Sequence, residues 1–206
     1  MPQPPRPRLV VFDLGNVLIQ WDPRLLYSKI FPDKAKMEHF LTVVCPPEWN
    51  LEQDRGRSFA EAVAEAAGRH PHHRSDIAAW LDRFDEMIPG PIEGTVRILE
   101  QLKSQGITCY ALSNWSAETF AKTRPRFKLF DLFDGLVISG EEKLIKPDPE
   151  IYRLICKRYG FNPADAVFID DSLANIQAAA KLGFHTIHFQ DPIRTQEELN
   201  GLGFRI

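Results

Sequence analysis

The sequence predicts an α/β fold: a central parallel sheet flanked by helices, with a small all-helical subdomain set into it. Three observations carry this expectation. Short, β-rich apolar runs alternate with amphipathic stretches. Several of those runs are too continuously apolar for a sheet with one wet face, which points to parallel strands covered on both sides. The long interval from Trp21 to Lys103 holds helical patterns and no convincing strand, and is too long for a single crossover connection.

Taken in order, the opening MPQPPRPR is proline-rich, so residues 1–7 read as a loose tail. RLVVFDL is the first strand. Pro23 to Ile88 then reads as the helical insertion, with SFAEAVAEAAG and RSDIAAWLDRFDEM as two of its helices. The expected division is a core of 8–20 and 90–206 with an insertion of 21–89. EGTVRILEQLKSQG is a helix stopping at Gly106, followed by the strands ITCYALSN and DGLVISG. DPEIYRLICKRYG starts a helix with Asp148 as N-cap and Pro149 in the first turn. AVFIDDS is the fourth strand, DSLANIQAAAKLG a helix ending at Gly183, and HTIHF the last strand.

The chain has 206 residues and is 44% hydrophobic, enough to bury a sizeable core in one domain or one domain with an insertion. A formal charge of −3 provides no basic field to attract nucleic acid or an acidic membrane surface, so small-molecule partners are favoured. Cys45, Cys109 and Cys156 are far apart and odd in number, which argues against a disulfide framework or a zinc site and fits a reducing cytoplasm. No apolar run approaches the roughly 18 residues of a membrane span. Nothing in the sequence indicates the oligomeric state.

Ligands of open parallel sheets bind at the carboxyl ends of the strands, near the point where strand order reverses. The first strand ends at Asp13, the second at Ser113 and Asn114, and the fourth at Asp170 and Asp171, while Lys146 precedes a helix after the third. Each has a bland reading as a turn, cap or loop residue. Together they offer hard oxygen ligands for Mg²⁺, a cation to offset phosphate charge and a hydroxyl for a phosphate oxygen.

With the motifs VVFDLGNVL, ALSN, KPDPEIY and VFIDDSLANI in this order, the chain resembles the haloacid dehalogenase-like (HAD) superfamily of aspartate-nucleophile hydrolases. The resemblance runs from Leu9 onward. The helical insertion resembles the family's cap, and EWNLEQDRGRSFAEA resembles a cap segment of its sugar-phosphatase branch. It implies a Rossmann-like core in which Asp13 attacks phosphorus and forms an aspartyl phosphate that water hydrolyses. It further implies a Mg²⁺ site from the Asp13 and Asp171 carboxylates and the Gly15 carbonyl, with Asp170 as a nearby or alternate ligand and Asn175 at the last position of that motif. Ser113 and Lys146 would hold the phosphoryl oxygens, beside Asn114. Lys143 ranks below Lys146 because it does not precede the Pro-Asp-Pro.

Most phosphatases of that superfamily carry a second aspartate, two residues after the nucleophile, as proton donor. Gly15 stands there and cannot donate. General acid catalysis contributes about 10²- to 10⁴-fold, so its loss favours a good leaving group such as the anomeric oxygen of a sugar 1-phosphate. FDLGNV also resembles the first motif of the glucose-1-phosphate phosphatase branch. The expected activity is a Mg²⁺-dependent phosphatase acting on a small metabolite, favouring a sugar 1-phosphate. One alternative is a metal-independent 2-haloacid dehalogenase, although Asp170 and Asp171 would repel an anionic substrate without a cation. Another is a binding or regulatory module that keeps the fold with little turnover.

Weaker signals remain. Asn16 and Trp115 follow the catalytic motifs directly and are tentative pocket residues, Asn16 as a turn former. Trp21 and Asp22 at the entrance to the insertion, and Glu52, Asp54 and Arg55 in a polar stretch, read as hinge, solvent or salt-bridge residues more readily than as ligands; Arg55 is kept as a tentative pocket residue. GRHPHHR brings His70, His72 and His73 together without regular metal-ligand spacing and reads as an exposed interhelical loop. His185 and His188 are expected in sheet packing.

Overall fold

The four residues of β1, Leu9–Phe12, are all buried, and their side chains alternate between two apolar clusters, as a strand covered on both faces requires. The computed structural model describes residues 6–206, so most of the expected tail lies outside the described residues. Val10 and Phe12 belong to the larger cluster; Leu9 and Val11 face the other, with Leu112, Val137, Phe168, Ile151 and Ile176. β1 is the middle of a five-stranded parallel sheet of order β3-β2-β1-β4-β5, with β2 Thr108–Ser113, β3 Gly135–Ile138, β4 Ala166–Asp170 and β5 His185–His188. Its partners are fixed by register: Phe12 sits opposite Ala111 on one side and Ile169 on the other. The chain builds outward from β1 through β2 to β3 and then returns to β4 on β1's opposite flank. The crevice beyond β1 and β4 is therefore the switch point where such sheets bind ligands.

Three core helices follow their sequence signals. α6, Glu93–Ser104, is followed by Gly106 in the left-handed region. α9, Pro149–Tyr159, is capped by the Asp148 side chain, which accepts from the Glu150 N–H, and stops at Gly160 with φ +71°. α10, Leu173–Lys181, follows β4 directly. Short helices α7, Ala117–Thr123, and α8, Ser139–Glu142, stand after β2 and β3, and α11, Pro192–Gly201, closes the fold against α6. α8 is held close to the loop after β2: a methyl group on Gly140 would come within 2.4 Å of the Ala117 nitrogen.

Between β1 and α6 lie α1 Arg24–Ile30, α2 Lys34–His39 with a π-helical turn at Phe40–Val44, α3 Pro47–Asp54, α4 Phe59–Arg69 and α5 Arg74–Asp82. α4 begins with a reciprocal cap, in which Ser58 Oγ accepts from the Glu61 N–H and the Glu61 carboxylate accepts from the Ser58 N–H. An aromatic group made by Tyr27, Phe31, Phe40, Trp49, Phe59 and Trp80 fills the space between these helices. The chain enters and leaves this region side by side. Gln20 N–H donates to the Gly90 carbonyl at 3.0 Å, Asp22 N–H to Met87 at 3.0 Å, and Ile92 N–H to Leu18 at 2.8 Å. His70 lies at the end of α4, and His72 and His73 in a short 3-10 turn; His73 Nδ1 stands 2.9 Å from the Asp76 carboxylate. No helix among the described residues is long and apolar enough to cross a membrane.

Candidate active site

β1 runs out at Phe12, and the next residue, Asp13, is tied to the sheet by its N–H donating to the Ile169 carbonyl at 2.8 Å. Its side chain is buried, 7% exposed. Oδ1 accepts from the Leu14 N–H at 2.7 Å and the Ser113 hydroxyl at 2.8 Å, and lies 2.9 Å from Lys146 Nζ. None of the hydrogen bonds or ion pairs among the described residues goes to Oδ2. Strand pairing explains the meeting of Asp13 and Ser113, which sit one step past and at the ends of adjacent parallel strands.

Lys146 is 2% exposed, and its ammonium reaches the Asp170 carboxylate at 2.6 Å and the Leu112 carbonyl at 2.9 Å as well as Asp13. Asn114 positions it by a two-point clamp, accepting from the Lys146 N–H at 2.8 Å and donating to the Lys146 carbonyl at 2.9 Å; the Lys146–Pro147 peptide is cis. Burial opposes the charge on Lys146, but Asp13 and Asp170 outweigh it and raise its pKa, so it stays an ammonium. Asp170 is fully buried and heavily engaged: besides Lys146, it accepts from Asn175 Nδ2 at 3.0 and 3.1 Å and from the Ser172 N–H at 2.8 Å. Asn175 thus orients Asp170 through its amide. Asp171 is more exposed.

Carboxylate oxygens of Asp13, Asp170 and Asp171 all lie within 4.8 Å of one another. Burial pushes Asp13 up to about 7, with Lys146 opposing and Asp170 adding to the rise; Asp171 is raised by burial and by Asp170. Three carboxylates this close, against one ammonium, are short of positive charge. The donor set is hard oxygen, so the residues fit Mg²⁺.

Above this group lies a cavity lined by Gly15, Ile19, Trp21, Asn50, Asp54, Phe84, Asn114, Trp115 and Thr119. Trp115 is buried and packs against Phe84, Phe120 and Phe130. Asn16 adopts the left-handed conformation with φ 54° and accepts from the Trp21 N–H at 3.0 Å, shaping the turn below the cavity. Arg55 is exposed at the end of α3 and is absent from the lining, as are the exposed Glu52 and Lys143. Asp22 accepts from the Arg24 N–H at the start of α1.

Two residues that the sequence did not single out as site groups enter here. Asp54 reaches the cavity from α3, accepting from Asn50 Nδ2 at 3.1 Å, with the Ser116 backbone amide favouring its charged form. Ser139, fully buried at the start of α8, donates its hydroxyl to the Asp54 carbonyl at 2.6 Å and accepts from the Trp115 N–H at 2.9 Å. It ties α3 to the loop after β2. The sequence carries no signal that separates Asp54 from its polar neighbours; in the structure Trp49 and Gln53 are buried four residues apart, and Asn50 and Asp54 form the next stripe of the same helix.

Residues 7–183 match the family model of the haloacid dehalogenase-like hydrolases. The chain is 29% identical over 196 residues to the sesquiterpene phosphatase astK of Aspergillus oryzae, covering 95% of this chain and 96% of that protein. It is 29% identical over 204 residues to a D-ribitol-5-phosphate phosphatase of Bacteroides thetaiotaomicron, covering 92% and 95%. A solved structure of a HAD family enzyme from Bacteroides thetaiotaomicron, wild-type protein in complex with magnesium and inorganic phosphate, superposes with a TM-score of 0.70 at 25% identity, covering 90% of this chain and 95% of that one.

Proposed function

The chain belongs to the haloacid dehalogenase-like hydrolases, and we propose that within them it is a Mg²⁺-dependent phosphatase of a small phosphorylated metabolite. The observation that carries this reading is the asymmetry at Asp13. Leu14, Ser113 and Lys146 converge on Oδ1, so Oδ2 is the oxygen left to attack phosphorus. The Asp13–phosphorus bond forms as the ester oxygen leaves, and water then releases phosphate and restores the carboxylate. Likeness to proteins named as a sesquiterpene phosphatase and a ribitol-phosphate phosphatase supports the same reaction class.

The chain's own residues have separable tasks. Lys146 fixes the nucleophile's orientation and presents positive charge to the phosphoryl oxygens, while Ser113 supplies a hydroxyl beside them. Asn114 sets where Lys146 stands, and Asn175 holds Asp170. Asp13, Asp171 and the Gly15 carbonyl would hold Mg²⁺, with Asp170 next to them; when bound, the ion neutralises charge so that a carboxylate can meet an anionic phosphate. The helices of 21–89 form the cap, which excludes water over the site. The cluster of Asp13, Asp170 and the more exposed Asp171 disfavours haloacid hydrolysis, because its negative charge repels an anionic substrate when no cation is bound.

Within phosphate monoesters, Gly15 favours a leaving group that needs little protonation, which makes sugar 1-phosphates the preferred class. The test is a panel of sugar 1-phosphates, sugar 6-phosphates, polyol phosphates and p-nitrophenyl phosphate, with Mg²⁺ and with chelator. We expect turnover that requires Mg²⁺ and is abolished by Asp13→Asn. Turnover unaffected by Asp13→Asn would refute the mechanism, and 6-phosphates outrunning every 1-phosphate would refute the substrate preference.

A further inference from the structure

The phosphatase reading leaves one proton without a donor. When the ester bond breaks, an alkyl leaving oxygen must acquire a hydrogen, and Gly15 offers none. The side chains lining the cavity beside Gly15 include two indoles, two asparagines, a threonine and one carboxyl group, that of Asp54. A neutral amide, an indole and a secondary hydroxyl are all too weakly acidic to serve near neutral pH. The carboxyl group is suited.

Resting on that phosphatase reading, we propose that Asp54, supplied by α3 of the helical insertion, takes over the acid–base role that Gly15 cannot perform. In the first step a protonated Asp54 gives its hydrogen to the leaving oxygen as the phosphorus–oxygen bond breaks and the Asp13–phosphorus bond forms, releasing a neutral alcohol. In the second step the Asp54 carboxylate takes a hydrogen from the attacking water as the new phosphorus–oxygen bond forms and the bond to Asp13 breaks. Asp54 ends protonated, Asp13 ionised, and phosphate departs.

The surroundings of Asp54 suit both halves of the cycle. Asn50 Nδ2 and the Ser116 N–H stabilise its carboxylate form, and the hydroxyl of Ser139 holds its backbone carbonyl, so the side chain is presented from a fixed point. Burial favours the protonated form, the Ser116 N–H opposes, and the negative charge of Asp13 adds to the rise, with Lys146 pulling the other way; the carboxyl stands at about 7. A group poised there is present in both protonation states at neutral pH. The donor arrives with α3 and leaves with it, so the proton would be available only when the insertion sits over the core. The preference set by Gly15 then becomes one of degree, since an acid helps each ester in proportion to how poor its leaving group is.

The experiment compares kcat/KM of the wild type and Asp54→Asn, with Mg²⁺, on p-nitrophenyl, phenyl and alkyl phosphates, whose leaving groups are progressively poorer. We expect Asp54→Asn to lose about 10²- to 10³-fold on alkyl phosphates and no more than about tenfold on p-nitrophenyl phosphate, with Asp54→Glu recovering part of the alkyl loss. An equal loss across the series would overturn the proposal. Should Asp54→Asn fail to fold, wild-type pH profiles read the same step: kcat/KM for the alkyl ester falls on the alkaline side where that for p-nitrophenyl phosphate stays level, and parallel profiles would count against the donor. A wild type that hydrolyses none of the esters sinks the phosphatase reading itself, which is a distinct result.

Discussion

Replacing Asp13 by asparagine is expected to stabilise the metal-free protein at pH 8 and to do little at pH 5. Burial carries the Asp13 carboxyl from its ordinary 3.8 to about 7, against the pull of Lys146 and with the push of Asp170. In the unfolded chain it titrates near 3.8. Through the window between those two values the unfolded carboxyl ionises while the folded one keeps its proton. The folded state therefore loses stability as pH rises through the window, and the loss is complete above it. A displacement of that size corresponds to roughly 4 kcal/mol, an upper bound on what asparagine escapes at pH 8. The pull of Lys146 is already part of that displacement, so the gain at pH 8 lies between zero and about 4 kcal/mol, near 2–4 °C in Tm for each kcal/mol at this chain length. At pH 5, where most of the penalty is absent, the variant should differ little from the wild type. Urea and thermal unfolding with chelator at both pH values measure this. An asparagine variant that is less stable at pH 8, or equally shifted at both pH values, would refute the electrostatic argument. Adding Mg²⁺ should raise the wild type more than the variant, because the ion binds only the folded donor set.

Lys146→Met should cost about 3–5 kcal/mol, since it leaves two buried carboxylates without their cation; unfolding measured at pH 8 and pH 5 should show the loss shrinking at the lower pH, where Asp13 carries its proton. Ser139→Ala should cost about 1–3 kcal/mol by stranding the Trp115 N–H, and amide exchange at Trp115 should quicken. An Ser139→Ala variant with unchanged stability and exchange would show that α3 and the loop after β2 are held together by other contacts.

The strands were legible because each is a short apolar run that needs cover on both faces, and Val10, Phe12, Val167 and Ile169 supply the same type of side chain that the buried sheet demands. α9 was legible from Asp148, Pro149 and Gly160, three residues that mark its ends by backbone chemistry alone. α7 and α11 escaped notice: α7 is only seven residues long, and the N-terminal half of α11 is polar around a buried Thr195. In the site, Asp13, Ser113, Lys146 and Asp170 meet at the ends of neighbouring strands or in the loop beside them, so parallel pairing brings together residues that sequence order alone could group. Asp54 depends instead on how α3 packs against α8, a contact between segments 85 residues apart at Asp54 and Ser139. Polar residues around it, such as Glu52 and Arg55, carry the same composition and point elsewhere. Only the burial of Trp49 and Gln53 distinguishes the stripe that faces inward.

The hydrogen bonds from Gln20 to Gly90 and from Asp22 to Met87 join the two chain segments at the doorway of the helical insertion. Departure and return share these backbone bonds, so the helices between them join the sheet through a paired stem held by main chain. The same stem continues into the turn at Gly15 through the bridges of Ile19 to Gly15 and to Pro91. A backbone route therefore connects those helices to the residue next but one to Asp13.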